Sequence, residues 1–127
     1  MSRDWLTPVA RAREDVRAAR SLLESGFPSQ AVSLAYNAGL QVAVATLAVI
    51  GERPSTEAGV VSAFGRRVVG DGGVDHEFGR TLRQLYEDRN DVERALLKAP
   101  EDEAQKAIDG AERLVDAGAR WVEERRG

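Results

Sequence analysis

The chain has 127 residues, with 18 basic and 21 acidic side chains and a formal net charge of −3. This length predicts a single domain over residues 1–127, since domains typically contain about 100–200 residues. The chain has no cysteine and one histidine, which excludes disulfides, thiolate zinc sites, iron–sulfur clusters, thiol nucleophiles and two-histidine metal motifs. We therefore expect no metal site and no cofactor.

The first predicted helix covers about residues 8–25. Thr7 suits its N-cap, Pro8 its first position, and Gly26 the left-handed position that follows its C-terminus. The residues that precede it contain no apolar core of the signal-peptide type. We therefore expect a cytoplasmic protein.

The second predicted helix covers about residues 28–50 and stops at Gly51. Residues 31–50 carry no charge, and a stretch of about 20 apolar residues can span a bilayer. Six of these residues are alanine and four are polar, however, which makes insertion into lipid unfavourable. Small residues around Gly39 also favour close contact with another helix. The pattern predicts a helix buried in the middle of a bundle, with no membrane partner.

Three further helices complete the prediction. The third follows the turn GERPS, residues 51–55, with Ser55 as its N-cap. Its predicted buried side consists of Val60, Val61, Phe64 and Val68. The fourth covers about residues 74–98 and stops before a proline, and the fifth covers about residues 101–124. Together the five segments predict an all-α fold, an antiparallel four- to five-helix up-and-down bundle.

The fourth predicted helix has a charge inside its apolar seam, the series of residues alternately four and three apart that faces the core. This seam consists of Phe78, Leu82, Leu85, Arg89, Val92 and Leu96. Arg89 therefore stands where leucine would be expected. A guanidinium cannot lose its charge, so its burial requires partners.

Polar residues on two predicted helices are candidate partners for this guanidinium. They are Glu93, Tyr86 and Asn90 on the fourth helix, and Tyr36 and Asn37 on the second. One interpretation is an arginine that reaches solvent at the end of the bundle and pairs with Glu93. The other is a polar pocket between helices, in which a fixed guanidinium binds an anion such as phosphate. The residues alone leave both interpretations open.

Two segments around these residues resemble the HEPN family, the higher eukaryote and prokaryote nucleotide-binding domains. AVSLAYNAGLQVAVATLAVIG, residues 31–51, resembles a family helix in which small residues surround an aromatic pair, with Asn37 in place of the second aromatic. LYEDRNDVER, residues 85–94, resembles the subgroup pattern L-Y-x-x-R-x-x-A-D-Y. Leu85, Tyr86 and Arg89 match that pattern, whereas Val92, Glu93 and Arg94 replace its last three residues. Residues 59–72 are also similar to the short helix and loop of the family.

This resemblance implies a helical bundle that dimerises, because HEPN domains are four- to five-helix bundles that usually form dimers. Many of them are metal-independent ribonucleases of toxin–antitoxin and defence systems, often encoded beside a nucleotidyltransferase antitoxin. The resemblance therefore implies three partners for this chain: a second copy in a homodimer, RNA, and a nucleotidyltransferase antitoxin.

The ribonuclease motif of the family is an arginine, usually a polar residue next, and a histidine four to six residues further on. Arg89 and Asn90 match the start of this motif, but no histidine lies near residues 94–96. His76, the single histidine, precedes Arg89 by 13 residues, roughly 20 Å along a continuous helix. It would have to reach the site from a dimer partner. The resemblance leaves Arg89, Asn90 and Glu93 as the candidate catalytic residues.

Our first hypothesis is a HEPN-like protein that binds RNA or nucleotide phosphates in a toxin–antitoxin or defence system and lacks the usual histidine. Its candidate binding residues are Tyr36, Asn37, Tyr86 and Arg94. One alternative is an active metal-independent ribonuclease toxin that uses Arg89 and Asn90 at a dimer cleft. The other is a non-catalytic interaction scaffold for a nucleotidyltransferase.

Overall fold

The computed structural model describes residues 7–126 and consists of helices joined by short loops. The helices are α1 (Pro8–Glu24), α2 (Pro28–Val49), α3 (Glu57–Ala63), α4 (His76–Glu93) and α5 (Glu101–Arg126), and a π-helical segment, Phe64–Gly70, continues α3. No strand occurs within residues 7–126. The all-α bundle predicted from the sequence is confirmed.

Capping residues set both ends of α1 and the start of α3. The Thr7 hydroxyl accepts a hydrogen bond from the backbone N–H of Ala10 at 3.1 Å, and Gly26 adopts a φ of +89°, so both predicted ends of α1 are confirmed. Ser55 is not the N-cap of α3, and that prediction is wrong. Thr56 takes this role instead, because its hydroxyl accepts from the backbone N–H of Gly59 at 3.0 Å.

Helix α4 is shorter than predicted, because it ends at Glu93 rather than near residue 98. The chain must reverse direction before α5 begins, and residues 94–100 make that reversal. The N–H of Leu97 bonds to the carbonyl of Asp91 at 2.9 Å, and Leu96 has a φ of +57°. Leu96 is 83% exposed, so it does not belong to the apolar seam, contrary to the prediction.

The long helices run in alternating directions. Helices α1 and α2 are joined by residues 25–27 alone, and such a short loop produces antiparallel neighbours. Helices α1 and α5 are also antiparallel, since Arg13 pairs with Asp116 at 2.7 Å and Arg20, further along α1, pairs with Asp109, earlier in α5, at 3.3 Å. Helices α2 and α5 therefore run in the same direction.

The two parallel helices, α2 and α5, nevertheless pack directly against each other, whereas α1 and α4 make no contact within residues 7–126. Glycines make this approach possible. A Cβ atom at Gly118 of α5 would lie 2.5 Å from Cγ2 of Val42, and one at Gly39 of α2 would lie 3.2 Å from Leu114. The close contact predicted for the small residues of α2 is confirmed.

Helix α2 lies at the centre of the bundle, with α1, α4 and α5 around it. By length and composition alone it is apolar enough to cross a membrane, and half of its most apolar 18-residue window is buried inside the protein. The largest fully buried side chains come from α2, α4, α5 and the π-helical segment. They include Tyr36, Phe64, Leu47, Leu82, Ile108 and Leu114.

The contact between α2 and α5 predicts that Gly118→Ala destabilises the fold. The added methyl group would overlap Val42, which is fully buried and has a stiff branched side chain. We expect the free energy of unfolding in urea to fall by about 1–3 kcal/mol. Val42→Ala in the same chain should recover part of this loss.

Gly65→Ala is the matched control, because nothing lies within 4 Å of a Cβ atom at Gly65. Equal effects of the Gly118 and Gly65 substitutions would contradict close packing at Gly118.

Candidate functional site

Arg89 lies in the penultimate turn of α4 and points into the bundle, as its place in the apolar seam predicts. Its side chain is 10% exposed. Leu85, one turn earlier, is buried, and Val92 is half-buried. A permanent positive charge therefore lies at the edge of the hydrophobic core, where it requires an anionic or polar partner.

That partner is Glu57, the first residue of α3. Nη2 of Arg89 donates a hydrogen bond to Oε1 of Glu57 at 2.6 Å, and Nε donates to Oδ1 of Asn90 at 3.2 Å. The guanidinium also lies over the ring of Tyr36, 4.4 Å from its centroid, and 5.8 Å from the centroid of Tyr86. Such stacking stabilises a partly buried cation. We call Tyr36, Glu57, Tyr86, Arg89 and Asn90 the Arg89 cluster.

Two donors converge on one carboxylate oxygen in this cluster. The Tyr36 hydroxyl donates to Oε1 of Glu57 at 2.8 Å, the same atom that accepts from Arg89. Tyr36 is fully buried, whereas the Glu57 side chain is 47% exposed. The two donors are thus held in place by the core, and the carboxylate approaches them from the solvent side.

The pKa shifts follow from these contacts. The hydrogen bonds from Arg89 and then from Tyr36 hold the pKa of the Glu57 carboxyl below its ordinary value. Burial, followed by the hydrogen bond to Glu57, raises the pKa of the Tyr36 hydroxyl. Burial is the largest single influence on Arg89 and lowers its pKa, but the hydrogen bond to Glu57 and the charges of Glu57, Tyr36 and Glu93 together outweigh it, so the net pKa of Arg89 is raised. At neutral pH the cluster therefore contains a carboxylate, a protonated tyrosine and a guanidinium.

The cluster reaches the surface through Asn90 and Arg94. Asn90 is half-buried, and its Oδ1 accepts a second hydrogen bond, from Nε of Arg94 at 3.3 Å. Arg94 is exposed and close enough to Glu57 for its charge to lower the pKa of that carboxyl. A second cation therefore lies at the entrance to the cluster.

Three other residues considered from the sequence lie outside the cluster. Asn37 is exposed on α2, and no hydrogen bond joins it to Arg89. Glu93 is exposed and forms no hydrogen bond or ion pair with any residue in 7–126, although its charge helps to raise the pKa of Arg89. His76 is exposed at the first position of α4, roughly 20 Å along the helix from Arg89.

Glu57 is the residue that sequence reasoning missed. It precedes Arg89 by 32 residues and belongs to another helix, so no local spacing connects the two. The available signal was an acidic residue in the first helical turn, directly after the capping Thr56. That signal is typical of any helix N-terminus and does not single out a site.

The hydrogen-bond donors of the Arg89 cluster are suited to binding an anionic oxygen atom. One oxygen atom receives a charge-assisted hydrogen bond from a guanidinium and a neutral one from a tyrosine hydroxyl. Within residues 7–126, no group of three or more histidine, aspartate or glutamate side chains is placed to hold a metal ion.

Comparisons with known proteins agree with this architecture. A family model described as "HEPN domain" matches residues 3–121. A protein of Methanocaldococcus jannaschii named "Putative toxin MJ0605" is 33% identical over 105 residues, which cover 83% of this chain and 78% of that protein.

The ion pair between Glu57 and Arg89 should stabilise the fold in a pH-dependent manner. The pKa of Glu57 lies below its ordinary value of 4.5 in the folded state, so its contribution is fully present above about pH 4.5 and is lost as the pH falls through the lowered pKa. We expect a coupling energy of about 1 kcal/mol at neutral pH between Glu57→Gln and Arg89→Met, since one partner is half-exposed.

The measurement is a double-mutant cycle of urea unfolding at about pH 7 and about pH 3. The coupling energy should be smaller at the lower pH, because protonation of Glu57 removes its negative charge. A coupling energy that stays the same at both values would show that the contact does not depend on the charge of Glu57.

Proposed function

This chain belongs to the HEPN domain family, and from that premise we propose that it is a toxin-like HEPN protein that binds RNA phosphates through the Arg89 cluster without cleaving the RNA. The name of the Methanocaldococcus jannaschii relative supports the toxin-like class. The geometry of the cluster supports the choice of ligand.

The main observation in support of this proposal is that Oε1 of Glu57 accepts two hydrogen bonds, one from Arg89 and one from Tyr36. An arginine and a tyrosine that are fixed by the core bind a carboxylate oxygen there, and a phosphate oxygen has the same charge and accepting capacity. Because the Glu57 side chain is 47% exposed, it can rotate into solvent without opening the core. A phosphate then replaces the carboxylate on Arg89 and Tyr36.

Residues at the entrance extend the interaction along a nucleic acid strand. Arg94 is exposed and hydrogen-bonded to Asn90, which supports a contact between its guanidinium and the next phosphate. Tyr86 is half-buried beside Arg89, with its ring 5.9 Å from that of Tyr36. A cation that contacts the backbone next to a partly exposed aromatic ring is typical of single-strand binding.

Binding without cleavage is favoured because the cluster lacks a general base. Metal-independent RNA cleavage needs a group that removes a proton from the 2′-hydroxyl near neutral pH. The lowered pKa of Glu57 makes it a weak base, and the raised pKa of Tyr36 keeps its proton in place. His76 lies at the opposite end of α4.

We expect Arg89→Ala to weaken the binding of a fluorescein-labelled single-stranded RNA of 12 uridines by at least about tenfold, since one charged hydrogen-bonding contact is lost. The slope of log affinity against log salt concentration should also decrease by about one. The measurement is fluorescence anisotropy at several salt concentrations. Arg83→Ala is the control, because Arg83 is exposed on another face of α4.

The substitution Glu57→Gln should have the opposite effect on RNA binding. Removal of the competing carboxylate should strengthen RNA binding several-fold, whereas the exposed Glu14→Gln on α1 should change it less, although both substitutions alter the net charge equally. Equal effects of these two substitutions, or of the two arginine substitutions, would contradict the proposal.

A denaturing gel of the same RNA after incubation with the protein distinguishes binding from cleavage. Intact RNA is the expected result. Cleavage by the wild-type chain that is lost in Arg89→Ala would replace this proposal with the ribonuclease alternative.

A further inference from the structure

A second surface lies on the other side of the α4 C-terminus from the Arg89 cluster. An open groove of about 240 Å³ is formed there by α2, the end of α4, the loop of residues 94–100 and the start of α5. Its apolar lining includes Val32, Val92, Leu97 and Pro100. We call it the acidic groove, because of the charges at its edge.

Three carboxylates, Asp88, Asp91 and Glu103, line the groove together with one basic residue, Lys98. Asp88 is half-buried, and its pKa is raised by burial and further by the negative charges of Glu103 and Asp91. Negative charges that repel one another beside an apolar surface are complementary to a cation with an aliphatic stem.

The surface beside the groove is unusually apolar. Leu96 and Leu97 are 83% and 56% exposed, more than any other large hydrophobic residue described. Phe27, the next most exposed, lies at the same end of the bundle, since the nearby Ser29 hydroxyl accepts a hydrogen bond from the N–H of Ala99. Exposed apolar side chains that surround a groove with a polar rim are typical of protein interaction sites.

We propose that the acidic groove docks a partner protein through an arginine or lysine that is flanked by apolar residues. The stem of the basic residue lies on Val32, Val92 and Pro100, and its head reaches Asp88 and Asp91. A small cation would satisfy the carboxylates but would leave Leu96 and Leu97 exposed, which is why the observations favour a protein segment. This proposal does not depend on RNA binding, because none of the groove residues belongs to the Arg89 cluster.

The test begins with a phage-displayed library of random 12-residue peptides, selected on the full-length wild-type chain. We expect the enriched peptides to share an arginine or lysine next to leucine, isoleucine, phenylalanine or methionine. One enriched peptide is then labelled and its affinity measured by fluorescence anisotropy. Leu97→Ser should weaken its binding by tenfold or more, and Asp91→Lys should do the same.

Exchanging the charges of Asp91 and of the basic residue in the peptide tests whether these two residues contact each other. Replacement of the basic residue of the peptide by glutamate should abolish binding to the wild-type chain and restore it to the Asp91→Lys variant. Val44→Ser and Glu123→Lys are the matched controls, because Val44 and Glu123 are exposed outside the groove, and each should change the affinity less than twofold. Circular dichroism confirms that each variant is folded.

Four results would overturn the proposal. They are a library without enriched peptides, enriched peptides without a basic residue, affinities that the two groove substitutions leave unchanged, and a homodimer, detected by light scattering, that Leu97→Ser dissociates. The last result would mean that a second copy of this chain covers the groove.

Discussion

The charge of Arg89 is the constraint on which this end of the molecule depends. An arginine in an apolar seam cannot become neutral, so the fold must bring an anion to it. The carboxylate comes from Glu57, which requires α3 to begin beside α4. Tyr36 then completes the arrangement, because its ring lies under the guanidinium and its hydroxyl binds the same carboxylate. One buried charge thus connects three helices.

The composition of α2 allows this arrangement. Alanine and glycine let α5 approach α2 closely enough for Gly118 to touch Val42. The core is therefore packed by two helix backbones that lie close together as well as by large side chains. Tyr36 is the largest fully buried side chain, and it lies on the part of α2 that faces α4. The same helix therefore provides both the tight packing of the bundle and the aromatic base of the Arg89 cluster.

The last turns of α4 separate two surfaces of opposite character. Arg89 and Arg94 provide positive charge on one side, and Asp88 and Asp91 provide negative charge on the other. Adjacent residues of a helix point in directions about 100° apart, so Asp88 and Arg89 lie on different sides of α4. The site proposed for phosphate and the groove proposed for a partner protein therefore share no residue.

The sequence by itself determined the helical fold, the ends of α1, the central place of α2 and the position of Arg89 within an apolar seam, because each rests on local periodicity or on capping residues. It also determined that the histidine expected of the family is missing after Arg89. The tertiary structure alone decided that Glu57 neutralises Arg89, that neither Asn37 nor Glu93 forms a hydrogen bond with Arg89, and that α4 ends at Glu93. These outcomes depend on contacts between residues far apart in the chain and on the space required for its reversal, which local spacing does not encode.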